Sequence, residues 1–245
     1  MDQMIPYCGP APAPDALITA WNLAPLPMLL AVAPLAAAWG VKGVAKGPAC
    51  LAAAAVFLAF VSPLCALTVA LFAARGLHHL VLVLIAAPAL ALAWPREVRL
   101  PGQLRLPTGA GFVGLSVFLW LWHLPAAYAL AWDSPAVYWL MQAGLLGSAW
   151  VFWAQLFHSE RPAERIPATG LLLALAGQMG LIAALLTFAP RVLYPQHLEF
   201  TAAYGLDALS DQQLAGLVMW VPGMLPLALM GALLLRRGWR EAARA

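Results

Sequence analysis

Seven long stretches of this chain carry no Asp, Glu, Lys or Arg: 16–41, 47–74, 76–95, 106–132, 134–159, 166–190 and 212–235. Each reaches the roughly 20 residues a helix needs to cross a hydrocarbon core. They predict an all-α polytopic bundle of seven transmembrane helices, at about 17–39, 49–73, 77–94, 108–130, 135–157, 168–188 and 214–235. The connections are short, so a single domain over 1–245, with antiparallel neighbours and no soluble module, is expected. The longest connection, 189–213, holds the helix breakers Pro190, Pro195 and Gly205. Its Tyr194, Phe200 and Tyr204 would let it fold back as a lid.

The polar positions between the apolar stretches give a direction. Lys42 and Lys46, then Arg96, Arg99 and Arg105, then Arg161 and Arg165, then Arg236, Arg237, Arg240 and Arg244 fall in every second connection. Only Arg75 and Arg191 fall in the others. By the positive-inside rule the N-terminus lies outside and the C-terminus in the cytoplasm, as in a bacterial inner-membrane protein. The first stretch lacks the basic start of a cleaved signal peptide and carries Asp2 and Asp15 instead.

Composition agrees: 64% of residues are hydrophobic and 9% charged, against about 25% charged in water-soluble domains. The net charge of +3 comes from cytoplasmic arginines suited to anionic lipid, and gives no reason to invoke nucleic acid. Cys8, Cys50 and Cys65 are an odd set without a CxxC pair, so neither a disulfide framework nor a zinc site is expected. Cys50 and Cys65 read as packing residues, and Cys8 as an outer free thiol. The intra-span prolines Pro34, Pro63, Pro88, Pro222 and Pro226 read as local kinks.

Direction converts position into depth. His78 and His79 fall in the first turn of the third helix, one of them interfacial, and His123 about two turns below the outer end of the fourth. Met141 and Gln142 come at similar depth in the fifth, and Thr187 and Arg191 at the outer end of the sixth. Asp211, Gln212 and Gln213 precede the seventh, Asp211 as its N-cap. Trp120, Trp122, Trp132 and Trp139 read as an outer aromatic belt. Ionisable groups inside a membrane are costly and mark function, and these gather at one level. No Ser/His/Asp arrangement, phosphate loop or pair of buried carboxylates is expected, so hydrolysis and phosphoryl transfer have no support and the protein reads as a non-enzyme. Imidazole with thioether, thiol or amide donors suits copper or haem iron.

Several segments resemble the CtaG family, membrane assembly factors of caa-type cytochrome c oxidases. They are His79-Leu-Val-Leu-Val-Leu-Ile-Ala-Ala-Pro88, Trp122-His123-Leu124-Pro125, Leu186-Thr-Phe-Ala-Pro-Arg-Val-Leu-Tyr-Pro195, Asp211-Gln-Gln-Leu-Ala-Gly216 and Met219-Trp-Val-Pro-Gly223. The similarity covers nearly the whole chain. It implies a non-enzymatic protein that binds oxidase subunits and handles copper on the outer side. Two positions depart from the family pattern: Arg75 stands where a first histidine is usual, and Met141-Gln142 where Glu-His is usual. Arginine has no lone pair to give a cation, whereas Met accepts copper(I).

Three readings follow. In the first, an assembly factor holds copper with His79 and His123, Met141 or Cys8 adds a soft donor, and Arg191, Asp211 and Gln212 organise the outer loop, with Arg191 paired to Asp211. In the second, His79 and His123 are axial ligands of a haem in an electron-transfer protein. In the third, the bundle works without a metal, as a transporter or a structural subunit of the oxidase.

Overall fold

The computed structural model describes residues 6–94, 109–157 and 162–242, and is all-helical over them. The basic residues Arg96, Arg99, Arg105, Arg161 and Arg244, with His158, lie outside the described residues. Helices α1 (Pro25–Gly40), α2 (Lys46–Phe60), α3 (Pro63–Ala70), α4 (Phe72–Val81) and α5 (Ala87–Ala93) form the first part. Then come α6 (Ala110–His123), α7 (Pro125–Asp133), α8 (Pro135–Phe157), α9 (Pro162–Thr187) and α10 (Ala208–Ala242).

Among the described residues four helices are long and apolar enough to cross a membrane: Phe72–Ala93, Pro135–Phe157, Pro167–Thr187 and Ala208–Arg236. Two bent pairs raise the number to six, and the 16-residue α1 is a shorter apolar helix. Large side chains such as Leu29, Leu140, Leu173 and Leu229 remain exposed on these helices, as a lipid-facing surface requires.

The expected continuous spans are broken where local chemistry stops a helix. The first begins at Pro25, not 17, after a 3-10 turn at Leu17–Thr19. The second, expected as 49–73, bends by 42° between α2 and α3. Pro63 takes the first position of α3, and the Ser62 hydroxyl accepts the Leu64 N–H as its cap. Leu71 is extended, which starts α4 at Phe72 rather than 77. The fourth span, expected to run to 130, turns by 81° at Leu124, because Pro125 can neither donate a helical hydrogen bond nor follow a helical residue easily. The last helix starts at Ala208, earlier than 214.

Between α4 and α5 the helix widens into one π turn, Leu82–Ala86, just before Pro88, and continues. Trp153 of α8 donates its indole N–H to the Val83 carbonyl there at 2.7 Å. The span Phe72–Ala93 is the central one: 72% of its apolar window is buried, against 17% for that of α10. Small residues permit the closest packing. A Cβ on Gly111 would overlap the Phe152 backbone of α8, and one on Gly216 would overlap Ala183 and Thr187 of α9.

Candidate functional site

The central helix carries Arg75, His78 and His79, and all three are buried. Neither histidine reaches the surface of the bundle, because α4 begins a turn earlier than expected and other elements cover its start. His78 meets the Phe60 ring of α2 edge-on, while His79 packs on the Trp122 ring of α6, centroids 4.5 Å apart. Successive residues on a helix lie about 100° apart, so the two rings serve different sides.

Asp211 does not cap its own helix. Its carboxylate accepts the Phe72 N–H at 2.6 Å and the Ala73 N–H at 3.1 Å, capping α4 from α10. The cap of α10 is Asp207, which accepts the N–H groups of Leu209 and Ser210 and the Ser210 hydroxyl. Arg191, an exposed residue, is therefore not what engages the Asp211 carboxylate. Gln212 organises the loop instead: its carbonyl accepts the Leu193 N–H at 2.7 Å, and its amide donates to the Arg191 carbonyl at 3.3 Å.

His123 is the last residue of α6, set there by the Pro125 break. Its Nδ1 lies 2.6 Å from the Leu119 carbonyl. A carbonyl only accepts, so Nδ1 carries the proton and Nε2 keeps its lone pair. His79 and His123 line one cavity of about 10 Å³, room for a single water molecule or ion. Its other walls include Gly76, Leu119, Met179 and Met219. Nε2 of His79 is buried without a hydrogen-bond partner. Met141 is buried on α8, and its carbonyl accepts the Trp122 indole N–H at 3.3 Å. The methionines that line the cavity are Met179 and Met219.

Arg75 points elsewhere, into a cage of aromatic rings. Its guanidinium carbon sits 5.8 Å from the Trp122 centroid, 6.0 Å from Tyr128 and 5.6 Å from Tyr138. Nη2 donates to the Thr68 carbonyl at 3.4 Å. The N-terminal tail roofs this cage: Tyr7 stacks on Tyr138, and Cys8 forms a disulfide with Cys65 of α3. The reading of Cys8 as a free thiol and Cys65 as packing is thus corrected, and Cys8 is no soft donor. Cys50 is the free cysteine. Trp122 is a core residue rather than part of an aromatic belt.

The loop over the site is folded down, as its tyrosines suggested. Tyr194 stacks on Phe72, centroids 3.9 Å apart, and donates its hydroxyl to the His123 carbonyl at 2.8 Å. Tyr204 donates to the Pro12 carbonyl at 2.8 Å, tying loop to tail. The sequence reading missed His197, whose Nε2 is 2.8 Å from the Tyr128 hydroxyl. Burial, with the Arg75 charge nearby, holds its ring well below the ordinary range, at about 3. A histidine within an aromatic-rich loop was the available signal. A pocket of about 440 Å³ opens beside this loop, lined by Trp120, His123, Pro190, Arg191, Leu193 and Tyr194 among others.

The residues present fit a soft metal ion and fit a hard one poorly. Among the described residues no three His, Cys, Asp or Glu side chains converge on one point. Two imidazoles with an unpartnered buried nitrogen, beside two thioethers, make a neutral donor set of the kind copper(I) accepts.

Comparison with known proteins adds the family. The family described as cytochrome c oxidase caa3 assembly factor (Caa3_CtaG) matches over residues 28–241. No curated protein and no solved structure matches the chain at a significant level. The match spans every helix from α2 on and most of α1, and the chain is a member of the cytochrome c oxidase caa3 assembly factor family.

Proposed function

We propose that this protein is a non-enzymatic factor of the bacterial inner membrane that helps mature a copper centre of cytochrome c oxidase on the outer side. The cavity shared by His79 and His123 carries this reading. Bound copper would supply the cargo for the oxidase centre; the chain supplies position and shielding. The Leu119 carbonyl fixes the tautomer and orientation of His123. Trp122 packs against the ring of His79, and Asp211 fixes the first turn of the helix that bears it. Tyr194 and Gln212 close the loop over that end of the bundle.

The topology read from the charges, seven spans with the N-terminus outside, is part of the proposal. The Cys8–Cys65 disulfide supports it, since such bonds persist in oxidising compartments, and Tyr204 joins that tail to the 189–213 loop. A pair of haem ligands would need a porphyrin-sized cleft, and the cavity between His79 and His123 has room for one ion. Oxidase subunits and the lipid bilayer are the partners of this reading. Deleting the gene and growing cells at limiting copper should lower oxidase activity and its copper content together. Undiminished copper in the oxidase of the deletion strain would reject the role.

A further inference from the structure

We propose that the small cavity at the centre of the bundle is a copper(I) site in which Met179 and Met219 supply thioether ligands beside the imidazoles of His79 and His123. The inference deepens the reading of these histidines as copper-handling residues and rests on it. Four helices contribute one donor each: α4 gives His79, α6 His123, α9 Met179 and α10 Met219. Met219 stood out in the sequence only as the head of the segment Met219-Trp-Val-Pro-Gly223, and Met179 not at all, because each is an apolar residue inside an apolar stretch.

Charge, softness and space favour a monovalent soft ion. Met179 is 1% exposed, Met219 3% and His79 6%, so three of the four donors are buried, while His123 is half-buried and also faces the wider pocket. All four donors are neutral, so the ligand set itself does not offset the charge of the ion. The Born cost of burying an ion grows with the square of its charge, about fourfold from monovalent to divalent. Arg75, one turn before His79, adds positive charge and widens that difference. Thioethers bind copper(I) and silver(I) well and zinc(II) poorly. Water suits the space less well, because a buried water makes about three hydrogen bonds and the remaining walls, including Leu80, Val83 and Leu119, are apolar.

His123 also lines the outer pocket beside the loop. It is the residue common to both spaces, so an ion arriving from the loop side meets His123 before His79 and the two thioethers.

The test uses the purified full chain in detergent, with Cys50→Ser throughout to remove the free thiol. Copper(I) is supplied from a competing chelator under ascorbate, silver(I) serves as a redox-inert probe, and zinc(II) as the divalent control. Wild type should bind one equivalent of copper(I) or silver(I) and little zinc(II). Met179→Leu with Met219→Leu keeps volume and should melt near wild type. It should lose affinity by about tenfold or more, as changes around metal ligands do. X-ray absorption of the silver-loaded wild type should show sulfur as well as nitrogen neighbours, a readout that needs no variant. Full affinity in the double leucine variant, with affinity lost in His79→Ala and His123→Ala, would overturn the thioether assignment and leave the histidine reading standing. Nitrogen-only neighbours would overturn it equally. A wild type that takes up neither ion, or takes up zinc(II) preferentially, would overturn the site itself, and the oxidase role would then rest on the deletion phenotype alone.

Discussion

The hydroxyl of Tyr194 donates to the backbone carbonyl of His123 at 2.8 Å, joining the 189–213 loop to the point where α6 ends. The break at Pro125 leaves that carbonyl without a helical partner, and the loop provides one. Tyr194→Phe keeps the stack on Phe72 and removes only the donor. It should cost about 1 kcal/mol in detergent unfolding and weaken metal uptake at His123. An unchanged melting curve would separate the loop from the site.

Asp211 serves a helix other than its own. Losing its carboxylate strands the N–H groups of Phe72 and Ala73 at the buried start of α4. Asp211→Ala should therefore cost about 2 kcal/mol, while Asp211→Asn, which keeps one acceptor oxygen, should cost less. Thermal unfolding of both variants gives the order, and the reverse order would refute the cap. Arg191→Ala, at an exposed position, should be milder than either, since Gln212 holds the loop through the Arg191 backbone.

His197 predicts an acid limit for the folded loop. Its ring is held at about 3 in the fold and returns to the ordinary range, near 6.5, on unfolding. Above pH 6.5 both states are neutral and the loop keeps its full stability. As the pH falls from 6.5 towards 3, the unfolded state takes up a proton that the folded state refuses. Stability then falls by about 1.4 kcal/mol per pH unit for this one group. Melting at pH 7.5 and pH 5 should show the loss in wild type, and His197→Gln should shrink it. An equal loss in the variant would assign the acid sensitivity to other groups.

The Cys8–Cys65 bond closes a separation of 57 residues and fixes the tail over the Arg75 cage. Cys8→Ser should lower stability by about 2–4 kcal/mol. It should also make the first residues of the chain more sensitive to protease added from outside. Equal protease resistance with and without the bond would show that Tyr7 and Tyr204 alone hold the tail.

The sequence made the apolar segments, the central histidines and the folded loop legible, because hydrophobic runs and intramembrane polar groups are local signals. It hid the breaks. Pro125 was visible, but whether a proline kinks a span or turns the chain by 81° depends on partners such as Tyr194, some 70 residues away. The disulfide was hidden because three cysteines allow three pairings. Asp211 resembled a local cap, and only packing shows that it caps a neighbour. The grouping of Met179 and Met219 with the two histidines was hidden most deeply: residues from four helices share no spacing that a linear reading detects.

His79 and His123 are proposed to act together in delivering copper to the oxidase. That role is tested most directly by the copper-to-haem ratio of oxidase purified from cells complemented with His79→Ala plus His123→Ala. The level of the variant in the membrane is measured alongside. The expected result is a copper-poor oxidase with normal haem and an undiminished variant protein, recovered in part by excess copper. A normal copper-to-haem ratio at limiting copper, with the double variant present at wild-type level, would contradict it.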